Sequence, residues 1–209
     1  MSKLSFKQTN PKITHNAPIA GGYYTYSDYI TWDDEVRYEL IDGTAYALAS
    51  PSPIHQLVHS QLFIMIGKQL ENKKCKIISA PSDIRLSADK KDDTVLQPDL
   101  FIFCERSGLE RNTFKGTPEL VIEITSPSTE HLDRFKKYQK YLQAQVPEYW
   151  IVEPEKKVVN VFVLEQNKYN HHFYEEKDTI KLSVIDNIEV NLFTIFNPFT
   201  DWVDEDNLS

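Results

Sequence analysis

A glutamate lies in the most apolar part of a predicted strand. In the segment "PELVIEITSPST", Glu123 is flanked by Ile122 and Ile124, and Val121 shares its face because strand side chains alternate. Burying an ionised carboxylate without compensation costs several kcal/mol. Glu123 therefore needs a basic side chain, a bound proton or a metal ion beside it.

A second carboxylate, Asp99, follows Pro98 and opens the apolar run "LFIFC". The connection from this run to the Glu123 strand is short enough for the two strands to be neighbours, which would bring Asp99 and Glu123 together at one end. Two close carboxylates repel unless a cation lies between them. Mg²⁺ binds through one or two carboxylates and several waters, so the pair is a candidate Mg²⁺ or Mn²⁺ site.

Structural roles are the alternative for both acids. An Asp after Pro commonly shapes a turn, and a strand Glu can pair with a base such as Arg85. Spacing by itself favours the structural role for each residue taken alone, and the two residues together strengthen the case for a site without deciding between the two roles.

Lysines follow Glu123 in the segment "DRFKKYQK". A helix that begins where the Glu123 strand ends places its first turns near that end, so Lys137 could point back to the carboxylates. There it would stabilise negative charge on a phosphate or help to deprotonate a water on the metal. For Lys136 and Lys140, a solvated helix face is the favoured interpretation.

Elements that position these residues can be predicted along the chain. A short helix is expected with its cap near Ser27, and "VRYELIDGTAYALAS" predicts a hairpin that turns at Asp42-Gly43, with Glu39 in its first strand. Ser52 as N-cap and Pro53 at the first position predict the start of a helix. Its broad apolar face comprises Ile54, Leu57, Val58, Leu62, Ile64, Met65 and Ile66.

The rest of the chain predicts an α/β domain. The segments "CKIIS", "DIRLS", "VLQPDLFIFCE" and "PELVIEIT" predict strands, with "RSGLERNTFKGT" as a charged loop. A second helix is capped by Ser128 or Thr129, three strands follow it, and a further strand and a short apolar element close the chain. We expect a single domain with a mixed central sheet and a helix on each side. Residues 1–22 are expected to form a flexible arm, residues 23–200 the domain, and residues 201–209 an acidic tail.

Composition narrows the classes of function. The chain has 209 residues and a net charge of −8, which argues against bulk affinity for nucleic acid. No apolar run approaches the ~20 residues of a membrane span, and the first residues lack the apolar block of a secretory signal. A cytoplasmic location is therefore expected, with Cys75 and Cys104 as buried free thiols.

Other motifs add little chemistry. His55 and His59 are four apart on a helix without the glutamate of a zinc-protease motif, so a zinc site is not favoured. Phosphate-loop, dinucleotide and serine-hydrolase motifs are lacking. The tyrosines and tryptophans, Trp150 included, are interpreted as core or strand-pair residues rather than platforms for bases.

Six ordered motifs resemble one known family. They are "YELIDG", "SPIH", "QPDL", "EITSPST", "DRFKK" and "PEYWIVEP", and they span about Tyr24 to about Phe196. They resemble the Uma-type restriction endonuclease family of the PD-(D/E)XK nuclease superfamily. The resemblance implies a restriction-endonuclease-like core and Mg²⁺- or Mn²⁺-dependent hydrolysis of DNA phosphodiester bonds.

By motif matching, the resemblance makes Asp99 and Glu123 the metal ligands and Glu39 a third acidic contributor. The superfamily usually has a lysine two residues after the glutamate, where this chain has Thr125, and Lys137 is expected to supply it from the next helix. His55 matches the family without an assigned role. A fold that binds or regulates without cutting is the alternative, and a homodimer is expected by analogy with nucleases.

Overall fold

The computed structural model describes residues 18–32, 36–86, 91–125 and 132–198, with side chains from Phe135 onward in the last range. Most of the predicted arm, the acidic tail and the predicted caps Ser128 and Thr129 lie outside these residues. Residues 18–22 form a turn in which the Gly22 N–H donates to the Ile19 carbonyl at 3.1 Å. Arm, domain and tail boundaries stay predictions.

A mixed sheet of six strands organises the domain, in the order β10-β9-β8-β7-β5-β3. Strands β7 and β8 are parallel, and the other neighbours are antiparallel. Three further strand pairs, β1-β2, β4-β6 and β11-β12, lie outside it. The strands are β1 (Tyr38–Ile41), β2 (Thr44–Ala47), β3 (Lys76–Ser79), β4 (Asp83–Arg85), β5 (Leu100–Phe103), β6 (Thr113–Lys115), β7 (Leu120–Ile124), β8 (Glu148–Glu153), β9 (Val158–Glu165), β10 (Lys168–Glu175), β11 (Thr179–Lys181) and β12 (Glu189–Asn191).

Helices cover both faces of this sheet, as predicted. They are α1 (Tyr26–Tyr29), α2 (Pro53–Gln69), α3 (Tyr138–Gln143) and α4 (Leu192–Phe196), with a 3₁₀ turn at Arg106–Gly108 and a π-helical turn at Leu132–Lys137. Helices α2 and α4 pack in one apolar cluster with Trp150, and α3 packs in a second cluster through Tyr141, against Tyr149. Strand β7 lies between both clusters, which explains why all five of its residues are buried.

Local sequence signals explain where several elements begin and turn. Asp42 and Gly43 have φ angles of 49° and 74°, the left-handed values that a two-residue hairpin turn requires. Ser52 caps α2 by accepting a hydrogen bond from the His55 N–H at 3.3 Å, and Pro53 opens the helix, as predicted.

Several predicted elements differ in extent. The cap of α1 is Thr25 rather than Ser27, and the predicted charged loop contains the 3₁₀ turn and strand β6. Two short strands, β11 and β12, and helix α4 form the closing segment. The apolar face of α2 is narrower than predicted, since Ile54 is 38% exposed and Ile64 is 48% exposed.

The prediction of free thiols is wrong in this structure. Cys75 and Cys104 form a disulfide between Cα atoms 3.9 Å apart. Strands β3 and β5 pair Lys76 with Phe103, so the residues just outside that pair face each other across the ladder. The spacing of two cysteines in the sequence carries no information on this pairing, which the strand register creates.

No helix among the described residues is long and apolar enough to cross a membrane. The cytoplasmic location stays a prediction.

Candidate active site

Pairing of β5 with β7 brings the two predicted carboxylates to the same end of the sheet. The register pairs Leu100 with Ile122, so Asp99 and Glu123 occupy the next facing positions of the antiparallel ladder. Asp99 Oδ2 accepts a hydrogen bond from the Ile124 N–H at 2.7 Å, which ties its carboxylate to β7. The prediction that these strands are neighbours is confirmed.

Glu123 forms a buried ion pair with the predicted lysine. Lys137 Nζ lies 3.1 Å from Glu123 Oε1 and 2.9 Å from Glu39 Oε1, and all three side chains are at most 5% exposed. Arg85, the alternative partner, instead contacts Asp92 and Glu110. The charge in β7 is therefore compensated locally by an ammonium group that also binds the hairpin glutamate.

The π-helical turn before α3 presents Lys137. This turn, Leu132–Lys137, ends at the lysine and continues directly into α3. Single π-helical turns are rare and occur often at functional sites. The neighbouring Lys136 is exposed and contacts Tyr46, whereas Lys140 is half-buried and pairs with Asp42. Lys136 therefore has the solvated position that the sequence predicted for both lysines, and Lys140 does not.

Tyr141 is a further contact of Glu123 that motif matching did not assign. Its hydroxyl donates to Glu123 Oε1 at 2.7 Å from one helical turn beyond Lys137. Burial, and then the negative charge of Glu123, raise the pKa of Tyr141 well above its usual range. The hydroxyl therefore keeps its proton and serves as a donor, and the four-residue spacing from Lys137 is the signal that could have found it.

His55 lies against Asp99 at the start of α2. Its Nε2 is 3.3 Å from Asp99 Oδ1, and His59 Nε2 is 3.2 Å from the Asp99 carbonyl oxygen. A carboxylate oxygen only accepts, so the His55 contact is a hydrogen bond when Nε2 carries a proton. The paired histidines of α2 thus contact Asp99 at its side chain and at its backbone carbonyl.

Gln97, two residues before Asp99, connects the site to the hairpin and to α1. Its backbone N–H donates to Glu39 Oε1 at 2.7 Å, and its side-chain amide donates to Tyr29 and Asp83. Within the motif "QPDL", the sequence predicted a functional role only for Asp99. The amide contacts depend on α1 and β4 and have no signature in the local sequence.

A cleft of about 410 Å³ opens onto this cluster. Its wall includes Asp99, Glu123, Lys137, His55 and Gln97, together with residues of the α2 cap and the Ala80-Pro81 segment. Glu39 is fully buried and does not line the cleft. The predicted third acid therefore lies behind the lysine rather than beside the other carboxylates in the wall.

The donor set suits a hydrated hard cation. Asp99 and Glu123 offer carboxylate oxygens on facing strands, which is the ligand type that Mg²⁺ and Mn²⁺ prefer. Within the described ranges, no group of three or more His, Cys, Asp or Glu side chains is arranged to hold a metal ion. The arrangement therefore fits an ion that keeps several waters and does not fit an enclosed cage of protein ligands.

Fold and site together define a restriction-endonuclease-like α/β protein, with acidic residues of two adjacent strands and a lysine lining one cleft. The family model described as "Uma2: Putative restriction endonuclease" matches residues 26–192, about four fifths of the chain. The chain belongs to this family, as the motifs predicted.

A solved structure supports the fold, and a curated relative shares part of the sequence. A solved structure, described as "a putative nuclease belonging to DUF820 from Anabaena variabilis ATCC 29413", has a TM-score of 0.69 at 17% identity, covering 83% of this chain and 98% of that one. A curated relative, "Uncharacterized protein slr1290" of Synechocystis sp. (strain ATCC 27184 / PCC 6803 / Kazusa), is 28% identical over 116 residues, or 54% of this chain. The alignment spans 60% of that relative's length.

Proposed function

We propose that this protein is a Mg²⁺- or Mn²⁺-dependent endonuclease that hydrolyses DNA phosphodiester bonds in the cleft lined by Asp99, Glu123 and Lys137. One observation carries the proposal: carboxylates of two paired strands and a buried ammonium line the same cleft. Retaining charged side chains in so apolar an environment costs stability, which a purely structural role would not require.

Asp99 and Glu123 would hold the ion, which when bound supplies a Lewis acid for a phosphate oxygen. The Ile124 N–H and His55 fix the two oxygens of Asp99, so this carboxylate is oriented in advance. Tyr141 and Lys137 fix Oε1 of Glu123 in the same way.

Lys137 supplies positive charge at the cleft wall. Glu39 and Glu123 hold its ammonium, so the side chain needs no reorganisation to face a phosphate that carries developing negative charge. Glu39 acts through Lys137 and is a positioning residue. His55 fills the same kind of role for Asp99.

DNA would reach this cleft through local charge, because the chain as a whole is acidic at −8. Arg37 is exposed and lines the cleft, which places a cation at its rim. A homodimer, in which two clefts address the two strands of a duplex, is part of the proposal.

A nuclease-fold protein that binds DNA without cutting is the second candidate. The observation that favours it is the Lys137 contact at 3.1 Å, because an ammonium group already compensates the Glu123 charge that a metal ion would otherwise compensate. The net charge of −8 favours it as well.

Plasmid cleavage in Mn²⁺ decides between these functions. We expect nicking by the wild type, loss of nicking in EDTA, and a rate at least about 100-fold lower for Asp99→Asn and for Glu123→Gln. Asp186→Asn, in an exposed turn, is the matched control and should cut like the wild type. Equal traces of cutting in all variants would identify a contaminant and would remove the enzymatic proposal, leaving the binding protein.

A further inference from the structure

A second cleft of about 380 Å³ adjoins the first. Arg37, Pro81 and Gln97 line both, so these residues form a shared wall. The volume lies within the range of about 300–1,000 Å³ typical of small-ligand sites. A strand with its phosphate in the first cleft could therefore place an adjacent group in the second.

Four aromatic side chains line this second cleft: Tyr26, Tyr29, Trp32 and Tyr38. The Trp32 ring centroid lies 5.3 Å from that of Tyr29 and 5.4 Å from that of Tyr38. All four are partly exposed, and neither apolar core cluster includes them. The sequence-based interpretation of aromatics as core or strand-pair residues holds for Trp150, which is fully buried, and for Tyr38, which pairs with Ala47 in the β1-β2 hairpin. It is wrong for Tyr26, Tyr29 and Trp32, which lie in neither apolar cluster and in no strand.

Asp83, which lines this cleft, presents one unused hydrogen-bond acceptor. Asp83 Oδ1 receives the Tyr29 hydroxyl at 3.0 Å and Gln97 Nε2 at 2.8 Å, and both bonds leave Oδ2 to other donors. Gln97 Oε1 is buried and has no hydrogen-bond partner among the residues described. Since a carboxylate only accepts, the amide orientation with Nε2 toward Asp83 is the favourable one. Asp83 Oδ2 is therefore the acceptor that a ligand N–H in this cleft can reach, since the buried Gln97 Oε1 has almost no accessible surface.

Arg37 adds a positive charge on the wall between the clefts. It is exposed, and its guanidinium forms no ion pair within residues 18–32, 36–86, 91–125 and 132–198. Guanidinium groups bind phosphate oxygens in a planar, two-bond geometry. A phosphate bridging the two clefts would lie beside it.

We propose that the second cleft binds an unpaired guanine of the DNA strand whose phosphate lies in the first cleft, with Arg37 on the phosphate between them. The inference rests on the proposed function for its ligand class. Aromatic faces stack on any base. The Asp83 Oδ2 acceptor selects for a donor, and guanine presents adjacent ring N–H and amino donors on its pairing edge.

Binding, rather than cleavage, tests this proposal. Fluorescence anisotropy in Ca²⁺, with DNA checked for integrity on a gel, compares a duplex that has one unpaired guanosine with the same duplex carrying an abasic site there. We expect the guanosine duplex to bind about 5- to 100-fold more tightly, the range for one base stacked on aromatic side chains. Equal affinities for the two duplexes would overturn the proposal, as would a failure to bind either.

Two variants locate the effect. Asn112 is exposed and lines the second cleft only, so Asn112→Trp should fill this cleft and remove the preference for guanosine while leaving abasic-duplex affinity unchanged. Gln143→Trp, on an exposed position of α3 away from both clefts, is the matched control and should retain the preference. Asp83→Asn should reduce the preference for unpaired guanosine over unpaired thymidine, because an amide exchanges an acceptor for a donor.

The outcomes separate this site from the nuclease proposal. If the wild type cuts plasmid but shows no preference for guanosine, the nuclease proposal stands and the proposed base site is rejected. If the protein prefers the unpaired guanosine but cuts no plasmid, the base site stands, the nuclease proposal is rejected and the protein is assigned as a DNA-binding protein. A preference that persists in Asn112→Trp would place the base elsewhere and would overturn the assignment.

Discussion

Replacing Lys137 with methionine removes the ammonium from a buried cluster and keeps most of the side-chain volume. Lys137 is 4% exposed, and its partners Glu39 and Glu123 are 0% and 3% exposed. The substitution leaves two buried carboxylates without the cation that lies 2.9 Å and 3.1 Å from them. Its effect on stability should therefore be large.

The expected loss is about 3–5 kcal/mol of unfolding free energy, the cost of removing one partner of a buried ion pair. Each carboxylate keeps one hydrogen-bond donor in the variant: the Gln97 N–H donates to Glu39 and the Tyr141 hydroxyl donates to Glu123. These bonds partly compensate the two charges, so we expect a loss at the lower end of this range. For a domain of this size, the loss corresponds to a fall in Tm of about 6–20 °C. It is also a large part of the roughly 5–15 kcal/mol that stabilises an ordinary domain.

Urea denaturation and thermal unfolding of Lys137→Met measure this loss directly. Lys136→Met is the matched control, since Lys136 is the adjacent residue and is exposed, and it should change stability by no more than about 0.5 kcal/mol. The loss in Lys137→Met should shrink at acid pH, where protonation removes the uncompensated negative charge. Adding Glu123→Gln to Lys137→Met should restore part of the stability for the same reason.

A Lys137→Met protein as stable as Lys136→Met would refute the reasoning. That result would mean that Glu39 and Glu123 do not depend on the ammonium, and the proposed orientation of the lysine in the cleft would lose its basis. A double variant less stable than Lys137→Met would also contradict it. Removing one of the two uncompensated buried charges should raise the unfolding free energy, not lower it.

Asp83, Tyr141 and the Cys75–Cys104 disulfide each have a measurable effect on the folded or unfolded protein. Burial raises the pKa of Asp83 in the folded protein above its ordinary value of 3.8, so the ionised form costs stability above the folded pKa and not below 3.8; Asp83→Asn should be more stable than the wild type at neutral pH, and thermal unfolding at decreasing pH should show this difference disappearing. Tyr141→Phe removes the 2.7 Å hydrogen bond to Glu123 and should cost about 1.5–3 kcal/mol in urea denaturation; an unchanged midpoint would show that the hydroxyl does not stabilise the carboxylate. A thiol-reactive chromophore added to the unfolded, unreduced protein should find no free thiol, because Cys75 and Cys104 are joined, and should find both after reduction; reaction of both before reduction would contradict the disulfide.

Much of the candidate site follows from the sequence because its signals are local. A carboxylate within apolar residues implies a buried charge, and the alternation of strand side chains places Glu123 on the face of Val121. The helical start at Ser52 and Pro53 and the turn at Asp42-Gly43 follow from backbone preferences of single residues. Family motifs then connect these segments in order.

Tertiary structure decided what depends on contacts between distant segments. Spacing by itself left Arg85 open as a partner of Glu123, although the family motifs favoured Lys137 near the carboxylates, and the fold directs Arg85 to Asp92 and Glu110 instead. The same holds for Cys75 and Cys104, whose pairing depends on the register of β3 with β5.

The second cleft also depends on contacts between distant segments, and the sequence did not predict it. Composition makes each of its aromatic residues a core candidate, since large apolar rings are usually buried. Only packing of α1 beside β1 and β4 leaves Tyr29, Trp32 and Tyr38 partly exposed around Asp83 and Gln97. The sequence by itself determined which residues carry charge, where α2 begins and which apolar segments form the strands around Asp99 and Glu123, because those properties are local. The fold alone decided which charges are compensated and which rings face a cleft, because burial is a property of all the surrounding chain.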